Sequence, residues 1–470
     1  MIVLGPRLVV AGTHSGVGKT AVATGLMAAF RQRGWQVASA KVGPDFIDPG
    51  YHSIATGRPA RNLDPWICGA DLMGPLAARA GEGADLLVVE GVMGLFDGAA
   101  DGTPSSTAEV AKRIDAPVVL VVDAASVSHS VAALVHGYRT WDPAVRVAGV
   151  ILNRVGSDDH EAMLRAALGD SGVPVYGALR RDDSMQWRSR HLGLQPVAED
   201  PGRVRSALDR LAAAIARSCD LEALMRLARS APPLLTALPP EPRRVVGDRG
   251  SPRVAVAAGA AFSFSYPDNL EALGAAGAEV VMFDPCLDEG LPTGTSAVLV
   301  GGGFPELYAE ALADNLPMLR SMAHHHRRGG VTWAECGGLL WLARSIDGAA
   351  MAGVVDTAVT MCGGRVLGYR SATTTCPSPL GPAGTQMRGH EFHYSTTDPG
   401  GDALVLTGRH GTTTTGFAAP NLLASYLHVH LAAYPTIAEA FVSAAASSSP
   451  ATPRARARSE MPWFPSPSLG

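Results

Sequence analysis

Short runs of apolar residues alternate with longer amphipathic stretches along the N-terminal part of the chain. A strand buried on both faces shows an unbroken apolar run, whereas a helix repeats its apolar residues every three or four positions. The alternation therefore predicts a parallel sheet that helices cover on both faces. A helix is predicted over residues 21–33, after a glycine-rich turn. The predicted strands span residues 8–11, 86–90, 118–123 and 147–152.

A second region of the same kind begins at residue 253, after a segment rich in proline. Its apolar runs predict further buried strands. Residues 350–425 are richer in glycine and threonine, and their short alternating runs predict antiparallel strands. The buried strands predicted in this region span residues 253–257, 279–283, 297–300 and 331–335.

Together these patterns predict an α/β protein with two domains, each containing a parallel sheet. The first domain is expected over residues 1–195. Residues 196–250 are expected to form a helix (203–230) and a proline-rich linker. The second α/β domain is expected over residues 251–445, and the Ser/Pro/Ala/Arg-rich tail over 446–470 is expected to be disordered.

Composition narrows the possible partners. A chain of 470 residues with 47% hydrophobic residues can build two or three cores, and a net charge of −4 argues against nucleic-acid binding. Because no apolar run reaches roughly 18 residues, no membrane span is expected. The start lacks the features of a signal peptide, and six scattered cysteines without CxxC pairs are typical of a reducing cytoplasm, so a cytoplasmic protein is predicted.

A glycine-rich turn between the first predicted strand and helix has the chemistry of a phosphate-binding loop. Its backbone N–H groups and the following helix N-terminus predict an ATP site, in which Gly16 and Gly18 supply unusual backbone angles. Lys19 is expected to bridge the outer phosphates, and Thr20 to bind Mg²⁺. The usual pattern GxxxxGK[ST] has glycine at the position of Thr13. This segment resembles dethiobiotin synthetase, in which the same deviation occurs.

Two further polar residues follow buried strands of the first domain. Glu90 ends the run 86–90 and is a candidate Mg²⁺ ligand or water-orienting residue; the alternative is an ordinary acidic strand terminus. Asn153 follows the run 147–152, and its amide is expected either to contact adenine or to cap a helix. The sequence leaves both choices open.

Residues 40–52 form a polar loop that two prolines stiffen. Asp45 and Asp48 are close together, so they are candidates to hold Mg²⁺ or to orient an incoming amine. Lys41 is a candidate to stabilise a carboxylate while it is phosphorylated. The alternative interpretation is a pair of Asp-centred turns.

A reactive thiol is predicted in the second domain. Cys336 stands between a predicted strand and a helix that begins at Gly337, so the helix N-terminus should favour the thiolate. Gly302, in another turn that follows a strand, is expected to provide an oxyanion donor together with Gly337. His428 or His430 would activate the sulfur, and alternation along a strand does not distinguish them.

Two other segments have weaker signals. His324, His325 and His326 superficially suggest a metal cluster, but consecutive helical residues point in different directions, so a solvated surface is expected. Residues 388–395 are polar and aromatic, which fits either a contact with substrate or a packed β-turn.

Several of these motifs occur in one order along residues 5–440, and together they resemble the cobyrinic or hydrogenobyrinic acid a,c-diamide synthases of corrinoid biosynthesis. The resemblance implies a dethiobiotin-synthetase-like ATPase domain and a class I glutamine amidotransferase domain. The motifs that carry it span residues 11–20, 41–52, 89–98, 301–306, 334–339, 388–395 and 425–430.

The resemblance also implies roles for individual residues. Cys336 would be the glutaminase nucleophile, His428 its base, and Asp45 and Asp48 would serve the amidation of the substrate. Members of this family lack the usual acidic third residue of the triad, and His430 stands at that position here. The orientation of the imidazole is therefore left unexplained.

The expected activity is ATP- and glutamine-dependent amidation of the a- and c-carboxylates of a corrinoid, through acyl phosphates. L-Glutamine and the macrocycle would be the partners, and a homodimer is possible. Two alternatives remain: a sister enzyme acting on nickel-sirohydrochlorin, and a regulatory P-loop ATPase with an inert thiol domain.

Overall fold

A computed structural model of the chain describes residues 1–99, 102, 104–182, 189–190, 193–194, 197, 200–245 and 250–448. The chain divides into two compact units between Pro239 and Pro240. The predicted disordered tail begins at residue 446; the last helix continues to Ser448, and the remainder lies outside the described residues. Among the described helices, none is both long and apolar enough to cross a bilayer.

The first unit is built on a seven-stranded parallel sheet. Its elements, in chain order, are β1 (Ile2–Leu4), β2 (Arg7–Gly12), α1 (Lys19–Gln32), β3 (Val37–Val42), α2 (Ile47–Thr56), β4 (Arg61–Leu63), α3 (Met73–Gly81), β5 (Leu86–Glu90), α4 (Thr107–Arg113), β6 (Val118–Asp123), α5 (Ser130–Trp141), β7 (Val147–Val155), α6 (Asp158–Asp170), β8 (Val175–Arg180), β9 (Ser189–Arg190), β10 (Gly193–Leu194), α7 (Pro201–Ser218), α8 (Leu221–Arg229) and β11 (Leu234–Thr236).

The strand order of this sheet is β4-β3-β5-β2-β6-β7-β8. The short strands β1 and β11 form a separate antiparallel pair, as do β9 and β10. Strands β2, β3 and β5 lie side by side, so the carboxyl ends of β2, β3 and β5 meet at one edge of the sheet. Ligands of open α/β sheets bind at this edge.

The helix predicted over residues 203–230 is two helices. Cys219 adopts an extended conformation, and the Asp220 side chain caps α8 by accepting a hydrogen bond from the Ala223 N–H. Helix α7 packs closely on α1, because Gly25 has no Cβ to collide with Ile215, whose side chain would be 2.7 Å away. This part of the predicted connecting segment therefore belongs to the core of the first unit.

The second unit contains two sheets. Its elements, in chain order, are β12 (Arg253–Ala257), α9 (Pro267–Ala275), β13 (Glu279–Phe283), β14 (Thr295–Val300), α10 (Ala309–Asp314), α11 (Leu316–Arg327), β15 (Val331–Glu335), α12 (Gly337–Leu342), β16 (Ser345–Ile346), β17 (Ala349–Ala350), β18 (Ala358–Thr374), β19 (Gln386–Asp398), β20 (Leu404–Gly408), β21 (Gly411–Thr415), β22 (Phe417–Ala419), β23 (Leu422–Ser425), β24 (His428–Val429) and α13 (Pro435–Ser448).

The first sheet has the order β13-β12-β14-β15-β23-β22, and every neighbour is parallel except β22. The second sheet runs β17-β16-β18-β19-β24, with β20 beside β18 and β21 beside β20. The antiparallel prediction for residues 350–425 is confirmed for β18, β19, β20 and β21. These strands are not all short, because a break in register between Met361 and Val366 lets β18 continue over 17 residues.

Candidate active site

The glycine-rich turn joins β2 to α1 as predicted. Gly16 and Gly18 have φ angles of 84° and 92°, which only glycine adopts without strain. No side chain caps α1, so its first N–H groups are available to an anion. The Lys19 ammonium donates to the His14 carbonyl at 3.2 Å. Burial and the nearby Lys41 charge lower the pKa of Lys19 to about 8, an environment that favours a bound anion.

Thr13 begins this turn and is 8% exposed. Its hydroxyl lies 3.0 Å from the His14 Nδ1 atom, and its carbonyl accepts a hydrogen bond from the Tyr138 hydroxyl. Tyr138 also stacks on Phe96, with ring centroids 5.8 Å apart. The first residue of the turn is therefore held from several sides, although it is not the glycine of the usual pattern.

Asn153, on strand β7, holds the glycine-rich turn through a hydrogen bond. Its Nδ2 donates to the Val17 carbonyl at 2.8 Å, and its Oδ1 accepts from the Arg154 N–H. The helix-cap alternative is wrong, because Ser157 caps the following helix α6. A Cβ at Gly18 would lie 2.3 Å from Asn153 Nδ2, so glycine permits this close approach. Contact of Asn153 with adenine stays a prediction.

A buried charge cluster lies at the carboxyl ends of β3 and β5. The Lys41 ammonium is 2.6 Å from Asp48 Oδ2 and 2.8 Å from Glu90 Oε1. The Thr20 hydroxyl donates to Glu90 Oε1 at 2.7 Å and reaches Asp48 Oδ2 at 3.3 Å. The structure thus brings together four of the residues that the sequence singled out.

Burial and charge set the ionisation of this cluster. Burial and the charge of Asp45 raise the pKa of Asp48 to about 8. Burial alone would raise the pKa of Glu90 and lower that of Lys41. Their mutual attraction outweighs burial, so the pKa of Glu90 is lowered and that of Lys41 is raised. Glu90 therefore remains ionised, and Lys41 remains charged.

Asp45 makes different contacts from Asp48. Its Oδ1 accepts hydrogen bonds from the Ile47 N–H at 2.7 Å and from the Asp48 N–H at 3.1 Å. This is the Asp-centred turn that the sequence left as an alternative, and it starts helix α2. Its effect on Asp48 is electrostatic, and a direct role for Asp45 in amidation stays a prediction.

Sequence reasoning missed His52. Its Nε2 atom lies 2.6 Å from Glu90 Oε2, and both side chains are fully buried. The available signal was spacing, because His52 follows Asp48 by four residues and so shares its face of α2. Lys41 and His52 therefore contact different oxygens of the same carboxylate.

The oxygen atoms of this cluster fit a magnesium ion. Mg²⁺ is usually held by one or two carboxylates together with water and phosphate oxygens. The Thr20 hydroxyl lies within hydrogen-bonding distance of both the Asp48 and the Glu90 carboxylate. Among the described residues there is no group of three His, Cys, Asp or Glu that could hold a metal alone. The set suits an ion that arrives with nucleotide phosphates.

Cys336 occupies a strained turn at the end of β15. Its φ angle is 48°, and its N–H donates to the Ser425 carbonyl at 2.7 Å. A Cβ at Gly338 would lie 2.3 Å from the Val300 carbonyl oxygen, so glycine lets α12 start against β14. Burial, followed by the charge of Glu306, raises the pKa of Cys336 to about 12. The predicted preference for thiolate is therefore wrong for the resting site, because burial outweighs the helix N-terminus.

The two candidate histidines have different neighbours. A Cβ at Gly302 would lie 2.5 Å from Cε1 of His428, so the imidazole packs on the glycine turn. Burial lowers the pKa of His428 to about 3, which keeps the ring neutral and able to accept a proton. His430 instead lies 3.9 Å from Asp268 and stacks with Tyr266. Of the two histidines, His428 is the one that contacts the glycine turn, and its role as the base stays a prediction.

The predicted oxyanion donor at Gly302 needs correction. The Gly302 N–H already donates to the Phe264 carbonyl at 3.1 Å. The next residue, Gly303, has its nitrogen 3.0 Å from where a Cβ of Gly337 would lie. The Gly337 N–H interacts with the Cys336 sulfur and lowers its pKa slightly. Gly303 and Gly337 are therefore the better pair of backbone donors.

Residues 388–395 belong to β19, and they form a strand, not the packed turn that was one alternative. The Cys336 sulfur lies 3.6 Å from the Phe392 carbonyl. Next to it, the Glu391 carboxylate pairs with the Arg370 guanidinium at 2.7 Å, and both are largely buried. The charge of Glu391 also raises the pKa of Cys336. Sequence reasoning missed this ion pair because its members come from different strands.

The expectation of a solvated surface for residues 324–326 is wrong at one position. His325 is 2% exposed, and its Nε2 lies 3.1 Å from the Val331 carbonyl. Helix α11 turns this residue toward β15, whereas His324 faces solvent. Burial lowers the pKa of His325 to about 4, so it is a neutral core residue.

Comparison with known proteins identifies the domain to which each part of the chain belongs. Residues 8–194 match the model of the CobQ/CobB/MinD/ParA nucleotide binding domain. Residues 253–436 match that of the CobB/CobQ-like glutamine amidotransferase domain. The fold and the matched domains define an amidotransferase enzyme with an N-terminal nucleotide-binding domain, which confirms the predicted fold class.

Similar proteins cover almost the whole chain. The chain is 50% identical to hydrogenobyrinate a,c-diamide synthase of Streptomyces coelicolor, with 93% of this chain and 97% of the relative aligned. It is 47% identical to the enzyme of that name from Thermobifida fusca (95% and 98% aligned). It is 44% identical to cobyrinate a,c-diamide synthase of Syntrophotalea carbinolica (93% and 98% aligned). The chain belongs to the family of hydrogenobyrinate and cobyrinate a,c-diamide synthases, as its motifs predicted.

Proposed function

We propose that this protein converts the a- and c-carboxylates of a corrinoid acid into amides, using ATP and the amide nitrogen of L-glutamine. The observation that carries the proposal is the convergence of Thr20, Lys41, Asp48 and Glu90 beside the phosphate-binding turn. A second site, built on Cys336 and His428, supplies the chemistry that releases nitrogen.

The first unit would activate the substrate. A carboxylate oxygen attacks the γ-phosphorus of ATP, the bond to the bridging oxygen breaks, and ADP leaves. Lys19 lies where it can neutralise charge on the phosphates, and Lys41 can stabilise the carboxylate that is phosphorylated. Ammonia then attacks the acyl carbon, and inorganic phosphate leaves with the electron pair of its C–O bond.

Mg²⁺ would be held by Thr20, Asp48 and Glu90, and when bound it would neutralise charge on the transferred phosphoryl group. His52 and Lys41 keep Glu90 ionised through contacts of 2.6 Å and 2.8 Å. Asp48 is exposed by only 9%, so water has little access to the ligands.

The second unit would release ammonia. His428 takes the proton of the Cys336 thiol, and the sulfur attacks the side-chain carbonyl of glutamine. The N–H groups of Gly303 and Gly337 would stabilise the oxyanion. The imidazolium returns its proton to the departing nitrogen, and water hydrolyses the thioester to glutamate.

The metal-free macrocycle is the proposed substrate. The two relatives quoted at 50% and 47% identity are named for hydrogenobyrinate, whereas the relative at 44% is named for cobyrinate. Both acids present the same two carboxylates, so the distinction depends on the centre of the ring.

The deciding experiment supplies purified protein with MgATP and glutamine that carries ¹⁵N in its amide. Hydrogenobyrinic acid, cobyrinic acid and nickel-sirohydrochlorin are tested as substrates in parallel, and the masses of the products are determined by mass spectrometry. Two labelled amides in the hydrogenobyrinic product are expected. A chain that releases ADP without amidating any of the three would contradict the proposal, and amidation of nickel-sirohydrochlorin alone would reassign the substrate.

Glu90→Gln should lower ATP-dependent amidation by about 10²-fold or more, because the carboxylate that contacts Thr20, Lys41 and His52 loses its charge. ADP release is measured over a range of Mg²⁺ concentrations, where a higher requirement for Mg²⁺ is expected.

The matched control is Glu222→Gln, since that side chain is 72% exposed and pairs only with Arg33 among its described ion pairs. A Glu90 variant with the Mg²⁺ dependence of the control would rule out this carboxylate as a ligand.

Arg370→Met should raise KM for glutamine about tenfold and leave kcat with ammonium chloride unchanged. A buried guanidinium fits the α-carboxylate of an amino acid, and Glu391 fits its α-ammonium group, with each charged contact worth roughly 1.5–3 kcal/mol. Initial rates at varied glutamine test this, with Arg365→Met on the exposed part of β18 as control. Equal KM values for the two variants would show that the ion pair does not bind glutamine.

A further inference from the structure

The position two residues after His428, where the usual triad has its acidic third residue, does not hold a carboxylate. That position holds His430, which lies beside Asp268 and Tyr266. A carboxylate that orients the imidazole of His428 must therefore come from another position in the chain. The described residues around the ring provide one candidate.

Glu335, the residue directly before the nucleophile, lies near the Nδ1 atom of His428. Its Oε2 atom is 3.7 Å from His428 Nδ1. Its Oε1 accepts a hydrogen bond from the Val429 N–H at 3.1 Å, which fixes the carboxylate beside the strand that carries the histidine. Both side chains are almost completely buried, at 5% and 1% exposure.

The edges of the imidazole face different groups. The Nδ1 edge faces Glu335, whereas the Cε1 and Nε2 atoms lie 2.5 Å and 3.3 Å from where a Cβ of Gly302 would be. The Nε2 edge of the ring therefore faces the glycine turn, which also contacts Gly337, the residue after the nucleophile.

We propose that Glu335 is the positioning residue of this thiol site, an acidic third member supplied by the residue before the nucleophile. It accepts a hydrogen bond from the Nδ1–H of His428, so the basic lone pair of the imidazole is on Nε2, which would take the proton of the Cys336 thiol. One proton moves from sulfur to Nε2, and the carboxylate does not change its own protonation. The proposal rests on the glutaminase activity proposed above.

The strained turn at Cys336 explains why Glu335 and Cys336, neighbours in sequence, do not follow the alternation of a regular strand. In a regular strand, consecutive side chains point to opposite faces. The φ angle of 48° turns the chain after Glu335, and β24 is held opposite β19 through the pair His390 and His428. The 3.7 Å separation is longer than a hydrogen bond, and catalytic contacts of this kind tighten when substrate binds.

Burial makes the pair mutually dependent. It raises the pKa of Glu335 to about 8 and lowers that of His428 to about 3. The ionised carboxylate that orients the ring is therefore favoured above about pH 8, and a charge on His428 alone is disfavoured. An imidazolium that forms next to a carboxylate is stabilised. Other ionisable groups near the thiol and this ring include Glu306, Tyr426, His393, Glu391 with its partner Arg370, and His390, whose ring stacks on His428 at 5.2 Å.

The test is Glu335→Gln, which keeps the shape and the acceptor for Val429 and removes the charge. The ratio of glutamine-dependent to ammonia-dependent synthesis should fall about 10²-fold. Using the ratio corrects for any loss of folded protein, because ammonia bypasses the thiol. The KM for glutamine should change little, since the carboxylate does not contact the substrate.

A second readout follows the thiol itself. Alkylation of Cys336 by iodoacetamide, followed by mass spectrometry of its peptide across pH, should shift to higher pH in E335Q, because the imidazolium that accompanies the thiolate loses its stabilising charge. Glu335→Asp keeps the charge and should retain a higher ratio than E335Q. Equal ratios for the Gln and Asp variants, or a wild-type ratio and alkylation profile in E335Q, would overturn the proposal. A wild-type protein without glutaminase turnover would instead reject the proposed function.

Discussion

Replacing Cys336 by alanine should reduce glutamine-dependent synthesis at least about 10³-fold, while synthesis from ammonium salts continues. In the proposed reaction the sulfur forms the bond to glutamine, so its removal should stop the release of nitrogen. Ammonia in solution enters the reaction after that step and needs only the activated carboxylate. The measurement compares corrinoid amides formed from each nitrogen source by mass spectrometry.

Cys286→Ala is the matched control, because Cys286 is a free thiol of the same unit and its N–H only closes a turn with Asp284. It should behave as wild type with both nitrogen sources. Loss of both activities in Cys336→Ala, with an unchanged melting temperature, would mean that the thiol acts in the chemistry of the first unit as well.

Lys19→Ala should reduce ATP-dependent amidation by about 10²- to 10³-fold with either nitrogen source, because the charge that offsets the outer phosphates is lost. Basal hydrolysis of glutamine should persist, since Cys336 and His428 belong to the other unit. ADP release and glutamate release, measured in the same samples, separate the two effects.

Lys112→Ala serves as control for the removal of a lysine. Lys112 lies on α4 and pairs with Glu109 and Asp142 at the surface. Its loss should leave both activities intact. Normal synthesis by Lys19→Ala would refute the assignment of the phosphate-binding turn.

Much of the fold could be predicted because buried strands have continuous apolar runs. The predicted segments 86–90, 118–123 and 279–283 coincide with β5, β6 and β13. Strands β5 and β6 lie inside their sheet, so burial on both faces produces the pattern directly, whereas β13 is a partly exposed edge strand. Local chemistry also predicted the turn at residues 13–20 and the elbow at Cys336, because glycines stand between a strand and a helix in both.

The contacts across the sheet could not be predicted in the same way. Glu335 and His428 are far apart in sequence, and their proximity depends on how β15, β23 and β24 align. The choice between the Gly302 and Gly303 N–H groups depends on the direction of single peptide planes. The high pKa of Cys336 follows from burial, which no local motif encodes. These properties come from packing of the whole unit.

The ammonium group of Lys41, lodged between two acids, gives the ATP-binding unit an internal counter-ion. Without it, the buried carboxylates of Asp48 and Glu90 would repel each other, and only a bound metal ion would hold them together. With it, the pocket is already assembled when nucleotide arrives. Lys41 would thus hold the two carboxylates together before the nucleotide binds, and it would contact the substrate carboxylate during the reaction.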